Sequence, residues 1–199
     1  MISNLSKLFT KKLIIKGNVN EEERELYEYG LFLLLSNIFF IFITIIVGSI
    51  VGVILQSLIF FVAFCTIRQY AGGYHATTEL RCEISTISSI VLTICLIPLI
   101  DQSVLLVIIW GIATIFTVII FIFAPIDTDT KVLTEEELKV FRKKTKIILV
   151  TIYALILISL LFKVSAICIP CCMSLILEGI LLLAGKIKKT KRKTSVENT

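Results

Sequence analysis

Long runs without a charged residue are the feature that most constrains this sequence. The longest extends from Gly30 to Ile67, and four more follow it: Ile84–Ile100, Ser103–Ile126, Ile147–Phe162 and Val164–Leu177. A soluble core in a chain of 199 residues cannot bury that much apolar side chain, whereas lipid can accommodate it. About 20 apolar residues of helix cross a bilayer core about 30 Å thick. These runs therefore predict a polytopic membrane protein.

The first run is about twice the length that one crossing requires, so it predicts a helical hairpin. The predicted turn is Gly48–Gly52, because two glycines lower helix stability there. Backbone in lipid must satisfy its own hydrogen bonds, and the alternating polarity of a β-barrel is absent. The predicted fold is therefore an all-α polytopic membrane helix bundle with six transmembrane helices, at about 30–47, 51–67, 84–100, 104–124, 147–162 and 164–183.

The basic residues orient this bundle. All but one of the 20 Lys and Arg residues lie in the two termini and in the segments after the second and fourth spans. The positive-inside rule then predicts that both termini and these two segments are cytoplasmic. The net charge of +5 accordingly indicates an inner surface in contact with membrane lipids rather than a nucleic-acid-binding site.

Three regions follow from this division. Residues 1–29 are predicted to form cytoplasmic or interfacial N-terminal helices, although a basic tail without structure remains an alternative for the first 17 residues. Residues 30–183 form the membrane domain, and residues 184–199 form a basic cytoplasmic tail. Two patterns predict helix starts by capping boxes, Asn20 with Glu23 and Thr134 with Glu137.

The six cysteines do not indicate a disulfide framework, because five of them lie within apolar spans. Cys168-Ile-Pro-Cys171-Cys172 contains a CxxC pattern, but it has no second pair and no histidine nearby. Packing of small apolar side chains is a better interpretation than a zinc or redox site. No metal and no cofactor are predicted. Cys82 differs from the others because it lies in a polar segment.

The polar segment 68–83 concentrates the residue types that can perform chemistry. It contains His75, the only histidine, and Gly72-Gly73, the only glycine pair. Cys82 opens the third span, where Thr77 or Thr78 can cap the helix, and a helix N-terminus favours the thiolate form of cysteine. Seven residues of continuous helix would separate His75 and Cys82 by about 10 Å, so the histidine must fold back from a loop. A Cys–His pair supports acyl transfer.

Plainer interpretations stand beside this one. A single histidine and a single cysteine in a surface loop often have no catalytic role. Arg68 can be an interface anchor whose charged end reaches out of the lipid. Glu79 can orient the imidazole, although a solvated charge is the simpler interpretation of that residue.

The spacing Arg68-x4-Gly73-x-His75-x6-Cys82, placed after two spans, resembles the AgrB (accessory gene regulator B) family of quorum-sensing peptide processing enzymes. Ala124-Pro125 after the fourth span, followed by a polar loop that ends in a Lys/Arg cluster, extends the similarity. The order and length of the segments match over nearly the whole chain.

This resemblance implies a cysteine endopeptidase of the bacterial cell membrane that acts on an AgrD-like precursor peptide at the cytoplasmic side. Cys82 would be the nucleophile and His75 the general base, with Arg68 and Gly73 as supporting positions. Such enzymes remove the C-terminal tail of the precursor and keep the rest as an acyl-enzyme. A cysteine or serine of the precursor then closes a thiolactone or lactone ring. Oligomeric state stays open, with a homodimer as one possibility.

Substrate binding is predicted for a basic cluster at the end of the 125–146 loop. Precursors of this family typically have an acidic tail, which a basic surface would attract. The residues of this cluster are Arg142, Lys143, Lys144 and Lys146. Holding the membrane topology is the alternative role for these four residues.

A non-enzymatic transporter subunit or scaffold is the alternative function. A transport pathway usually needs polar groups inside the membrane. Glu178, about one turn from the inner end of the last span, is the only charged residue that approaches that depth.

Overall fold

The computed structural model describes residues 2–17, 19–74, 78–100, 103–126 and 134–197, without the side chains of residues 79, 103 and 191–197. Two compact units make up the chain, residues 1–43 and residues 44–199. Seven α-helices lie in the described ranges, together with short 3-10 turns at Glu21–Glu23 and Ile97–Ile100. The helices are α1 (Ile2–Ile15), α2 (Arg24–Val51), α3 (Ile54–Ala71), α4 (Glu79–Leu96), α5 (Ser103–Phe123), α6 (Glu135–Leu161) and α7 (Ser165–Glu197).

Six of these helices, α2 to α7, are long and apolar enough to cross a membrane. The prediction of a six-span all-α membrane protein is thereby confirmed. The helices extend beyond the predicted spans, because helical hydrogen bonding continues where the sequence becomes polar. α6 begins twelve residues before its uncharged run, and α7 continues through the basic residues that follow position 183.

The first unit contains α1 and most of α2. Residues 2–15 are helical, which decides against a structureless tail. The capping box predicted at Asn20 is wrong, because its side chain accepts no hydrogen bond from the helix. A 3-10 turn rich in glutamate precedes α2 instead, and its Glu21 and the helical Glu28 both pair with Arg24.

The predicted hairpin turn between the first two spans is present, and it is tighter than the sequence indicated. α2 continues through Gly48 to Val51, and the reversal takes place at Gly52, where φ is +80°. α3 then starts at Ile54. Only the second glycine of the pair therefore makes the turn.

The core of the second unit is built by α3, α5, α6 and α7. α7 packs against the other three and is the most enclosed of the six spanning helices. Small residues at the contacts, such as Ala63, Ala113 and Cys172, let the helices approach closely, as is usual where lipid provides no hydrophobic driving force. Larger side chains such as Leu175 and Leu182 of α7 fill the remaining space.

The second predicted capping box is confirmed. The Thr134 hydroxyl accepts from the Glu137 amide at 3.3 Å, and the Glu137 carboxylate accepts from the Thr134 amide at 3.0 Å. These bonds satisfy donors that a helix start leaves unpaired. α6 therefore begins at a defined residue ahead of its basic cluster.

Candidate active site

The chain leaves α3 at the glycine pair. α3 ends at Ala71, and Gly72 and Gly73 follow with φ of +73° and +124°. Residues that have a side chain rarely adopt such φ values, so the two glycines permit a sharp change in the direction of the chain. The segment is not helical from Gly72 to Tyr74, and α4 begins only at Glu79. The prediction that His75 and Cys82 do not share one continuous helix is confirmed.

Arg68, in the last turn of α3, holds the segment that follows. Its Nη1 donates to the carbonyl of Gly72 at 2.7 Å, and its Nη2 donates to the carbonyl of Tyr74. The same Nη1 lies 3.6 Å from Oε2 of Glu178 on α7. A guanidinium presents several donors in a fixed plane, which suits it to bind two carbonyls and a carboxylate at once. Arg68 is therefore not merely an anchor at the membrane surface.

The backbone of the segment lies directly on α7. The Tyr74 amide donates to the carbonyl of Leu181 at 2.9 Å. Gly185 allows this approach, because a Cβ at that position would lie 2.6 Å from the carbonyl carbon of Gly73 and 2.7 Å from the Tyr74 nitrogen. At Gly73 a Cβ would clash with the Arg68 guanidinium. Both glycines are thus required for the contact.

The segment that follows α5 also contacts the chain at the end of α3. The Ile126 amide donates to the Ala71 carbonyl at 3.0 Å, and Gly72 and Ile126 form an isolated parallel bridge. The Ala124–Pro125 peptide bond just before it is cis. The motif segment is therefore held between the end of α3, the chain after α5, and α7.

Cys82 is the fourth residue of α4, and its side chain is half-buried. Thr78 is the N-cap of this helix, as predicted, and its hydroxyl accepts from the Arg81 amide at 3.4 Å. The Cys82 amide donates to the Thr78 carbonyl at 3.0 Å, which is the first hydrogen bond of the helix. The thiol is accordingly fixed in the first turn, where the helix dipole is positive.

His75 lies outside the described residues, as do the two residues after it, and the Glu79 side chain is also outside them. Of the four motif positions, the structure brings Arg68 and Gly73 into contact and fixes the backbone as far as Tyr74. The roles predicted for His75 and Glu79 stay predictions.

The predicted basic cluster lies on α6, the helix that the Thr134 capping box predicted ahead of the fifth span. Its Lys144 ammonium lies 4.9 Å from the centre of the Tyr70 ring, and the Tyr70 ring meets Phe141 edge-on. The cluster therefore adjoins the end of α3 that carries Arg68. Lys146 lies over the Phe121 ring of α5, whereas Arg142 and Lys143 are exposed.

α7 contributes three positions to the site that the motif did not reveal. They are the Glu178 carboxylate, the Leu181 carbonyl and Gly185. Glu178 was visible in the sequence as a lone acid at the end of an apolar run, but its partner was not. A backbone carbonyl such as that of Leu181 leaves no signal in a sequence.

The cysteines of α7 lie away from this chemistry. Cys168, Cys171 and Cys172 are buried in the helical core. No disulfide joins any of the six cysteines, all of which lie in described ranges. Within those ranges no group of three or more His, Cys, Asp or Glu side chains is arranged to hold a metal ion.

Comparison with known proteins identifies the family of this chain. The sequence profile described as Accessory gene regulator B, AgrB, matches residues 6–182. The chain belongs to the AgrB family. An AgrB-like protein of Clostridium perfringens strain SM101 is 31% identical over 164 residues, which are 78% of this chain and 75% of that protein. An AgrB-like protein of Listeria innocua is 30% identical over 146 residues, 71% of this chain and 68% of its own length. No solved structure matches the chain.

AgrB membership indicates a multi-pass membrane protein with a part in the processing of an agr quorum-sensing peptide. The match extends over five spans and most of the sixth, and it includes the motif segment with Glu178 and Leu181 of α7, whereas Gly185 lies just beyond it.

Proposed function

We propose that this protein is a membrane cysteine endopeptidase that cleaves the C-terminal tail of an AgrD-like precursor and cyclises the remainder. The observation that supports the proposal most directly is the anchored segment before His75. Arg68 and α7 bind both polar backbone groups of Tyr74, the residue adjacent to His75. A base must be held in place to act on a thiol, and an anchored backbone next to the base provides that restraint.

The position of Cys82 gives the second support. Its side chain projects from the first turn of a capped helix, so the backbone that carries the thiol is held in place for attack on a peptide carbonyl. Partial burial restricts water without closing the site to a peptide. Water competes with the precursor thiol for the acyl-enzyme, so a site of this kind favours ring closure over hydrolysis.

The reaction proceeds in two acyl transfers. His75 takes the proton of the Cys82 thiol, and the thiolate attacks the carbonyl carbon of the scissile peptide bond. The carbon–nitrogen bond breaks as the imidazolium protonates the leaving amine of the tail, which leaves a thioester on Cys82. The internal thiol of the precursor then gives its proton to His75 and attacks that thioester; the carbon–sulfur bond to Cys82 breaks, the imidazolium returns the proton to the Cys82 sulfur, and a thiolactone ring is formed. An internal serine would give a lactone.

The substrate itself offers a first test. A short reading frame beside the gene, encoding a peptide with an internal cysteine and an acidic tail, would be the precursor to use, and its absence would count against the proposal. The protein and this peptide would be combined in membrane vesicles, and release of the tail followed by mass spectrometry.

Substitution of the nucleophile decides between enzyme and non-enzyme. Cys82→Ala should abolish tail release while the precursor still binds, and His75→Ala should do the same. Removing both residues should reduce the rate hardly more than removing one, because the two act as a unit. Cys95→Ala is the matched control, since Cys95 lies on the same helix and is exposed.

The intermediate gives an independent measurement. A precursor without its ring-forming thiol should still be cut and should accumulate as a thioester on Cys82, which hydroxylamine releases. Cleavage by purified Cys82→Ala protein would overturn the assignment of Cys82 as the nucleophile, and absence of cleavage by the wild-type protein would favour a transporter subunit or scaffold. The ion pair of Glu178 with Arg68 gives this intramembrane carboxylate a partner within the candidate site, which supports the peptidase over a transport pathway.

A further inference from the structure

Glu178 is the one buried charged residue among the described side chains. Its carboxylate is inaccessible to solvent, inside a helix long and apolar enough to span a membrane. Within the described part of the chain, neither of its oxygens has a hydrogen-bond partner. A charge placed there is expensive, so it is expected to serve a function through its partner.

That partner is Arg68, and the two charges belong to different parts of the site. The ion pair of 3.6 Å joins α7 to the guanidinium that donates to the Gly72 and Tyr74 carbonyls. The Arg68 side chain retains a fifth of its exposure, whereas the Glu178 side chain has none. The carboxylate thus draws the guanidinium toward α7, and the guanidinium positions the backbone.

Glu178 is part of a regular arrangement along α7. Leu181 follows it by three residues and Gly185 by seven, so the three lie on one face of the helix. Glu178 acts on the segment through Arg68, Leu181 binds the Tyr74 amide, and Gly185 makes room for the Gly73 backbone. One face of α7 therefore contacts the motif segment by three different means.

We propose that Glu178 is a positioning residue for the peptidase reaction. It touches no substrate; through Arg68 it keeps residues 72–74 on α7, so that the adjacent His75 is presented to Cys82. This inference rests on the proposed function. It predicts a loss of catalysis on bound precursor rather than a loss of precursor binding.

The main experiment compares Glu178→Gln with Arg68→Gln and with the double variant, in full-length protein in vesicles with the precursor peptide. Glu178→Gln should lower kcat at least about tenfold and leave KM nearly unchanged, because a small displacement of a catalytic group is enough to slow a reaction strongly. Glu178→Asp, which keeps the charge, should recover part of the rate. The double variant should be no slower than Arg68→Gln alone, since Glu178 acts through Arg68.

Amide hydrogen exchange provides a measurement that needs no turnover. The Tyr74 amide is bound to Leu181, so peptides that contain it should be protected in the wild type and should exchange faster in Glu178→Gln. Ser174→Ala is the matched control: Ser174 is buried on the same helix and its hydroxyl bonds only locally, to the Cys171 carbonyl. That control should leave both cleavage and Tyr74 protection unchanged.

Wild-type kcat in folded Glu178→Gln would overturn the inference. A double variant whose fold-loss in kcat equals the product of the losses in the two single variants would overturn it as well. If Glu178→Gln does not fold, Glu178→Asp takes its place, because it keeps the charge and shortens the side chain by one methylene group. Tyr74 protection and kcat equal to those of the wild type in Glu178→Asp would overturn the inference, and a loss of both would support it. Cleavage by the Cys82→Ala protein would contradict the proposed peptidase mechanism but not the anchoring role of Glu178, because the hydrogen-exchange measurement tests that role without turnover.

Discussion

Gly185 is a residue at which a single methyl group should damage the site from the α7 side. A Cβ there would come within 2.7 Å of the Gly73 and Tyr74 backbone, closer than real Cβ contacts allow. Gly185→Ala should therefore push the motif segment off α7 and lower the rate of precursor cleavage about tenfold to a hundredfold, because a shift of about 1 Å at a reacting group has an effect of that size. Tail release in vesicles measures it.

Gly111→Ala is the control for that substitution. Gly111 lies on α5, and a Cβ there would meet nothing within 4 Å. The control should keep full activity and gain up to about 1 kcal/mol in stability from its better helix propensity. Equal activities of the two variants would show that the contact between Gly185 and the segment does not matter.

The sequence identified one half of this site and not the other. Arg68, Gly73 and Cys82 lie close together in the chain, and their spacing is enough to suggest a motif. Glu178 and Gly185 act on that motif from the last helix. Which face of α7 meets the segment depends on packing between distant helices, and local spacing carries no information about that packing.

At the scale of a helix, α6 combines a fixed start with a basic surface. The Thr134–Glu137 capping box sets the start, so Thr134→Ala should lower the free energy of unfolding by about 1 kcal/mol. Thermal unfolding in detergent would measure this. Thr151→Ala, which removes an exposed hydroxyl bonded only to the Ile147 carbonyl, should change stability much less, and an equal loss would deny the cap its role.

The basic cluster of α6 divides into two parts, which should respond differently to neutralisation. Arg142 and Lys143 are exposed, whereas Lys146 is partly buried against Phe121. If the cluster recruits an acidic precursor, Arg142→Gln with Lys143→Gln should weaken precursor binding severalfold at low salt and hardly alter turnover of bound peptide. The effect should shrink above about 0.1 M salt, where the Debye length falls to about 10 Å.

A titration of precursor binding against ionic strength makes this measurement. Lys163→Asn is the matched control, because it removes one charge at the turn between α6 and α7 and Asn tolerates the positive φ of 56° found there. Binding that is independent of salt in the wild type would exclude electrostatic recruitment and leave the cluster with a topological role.

The number of membrane-spanning helices was predictable, because a lipid bilayer requires long apolar runs. The residues at which these helices begin and end were less predictable. α2 starts six residues before the predicted first span, and the turn falls at Gly52 alone. The hydropathy of the sequence predicts which residues lie in the apolar core of the bilayer. The ends of a helix are set instead by where its backbone hydrogen bonds stop. The start of α6 at Thr134 was an exception, because the capping box is a local sequence pattern that predicts where a helix begins.

On the scale of the whole molecule, three basic segments meet at one end of the helices of the second unit. Lys144 of α6 lies over Tyr70 of α3, and Lys186 of α7 lies 3.1 Å from the centre of the Phe123 ring of α5. The charge pattern of the sequence assigns the same segments to one side. With the positive-inside rule, we expect that side to be the cytoplasm.

Site-specific labelling tests this topology. In a chain with its six cysteines replaced, single cysteines at positions 75 and 144 should react with an impermeant maleimide only after the cells are permeabilised. A cysteine at position 163 should react in intact cells. Labelling of position 75 from outside would contradict the proposed orientation and place the motif on the wrong side for a cytoplasmic precursor.

The ion pair between Arg68 and Glu178 also has a consequence for biosynthesis. α3 is made before α7, because it precedes α7 in the chain. Until then the nascent chain has neither the carboxylate that neutralises Arg68 nor the carbonyl that receives the Tyr74 amide. The contacts that hold the motif segment can therefore form only after α7 has been made.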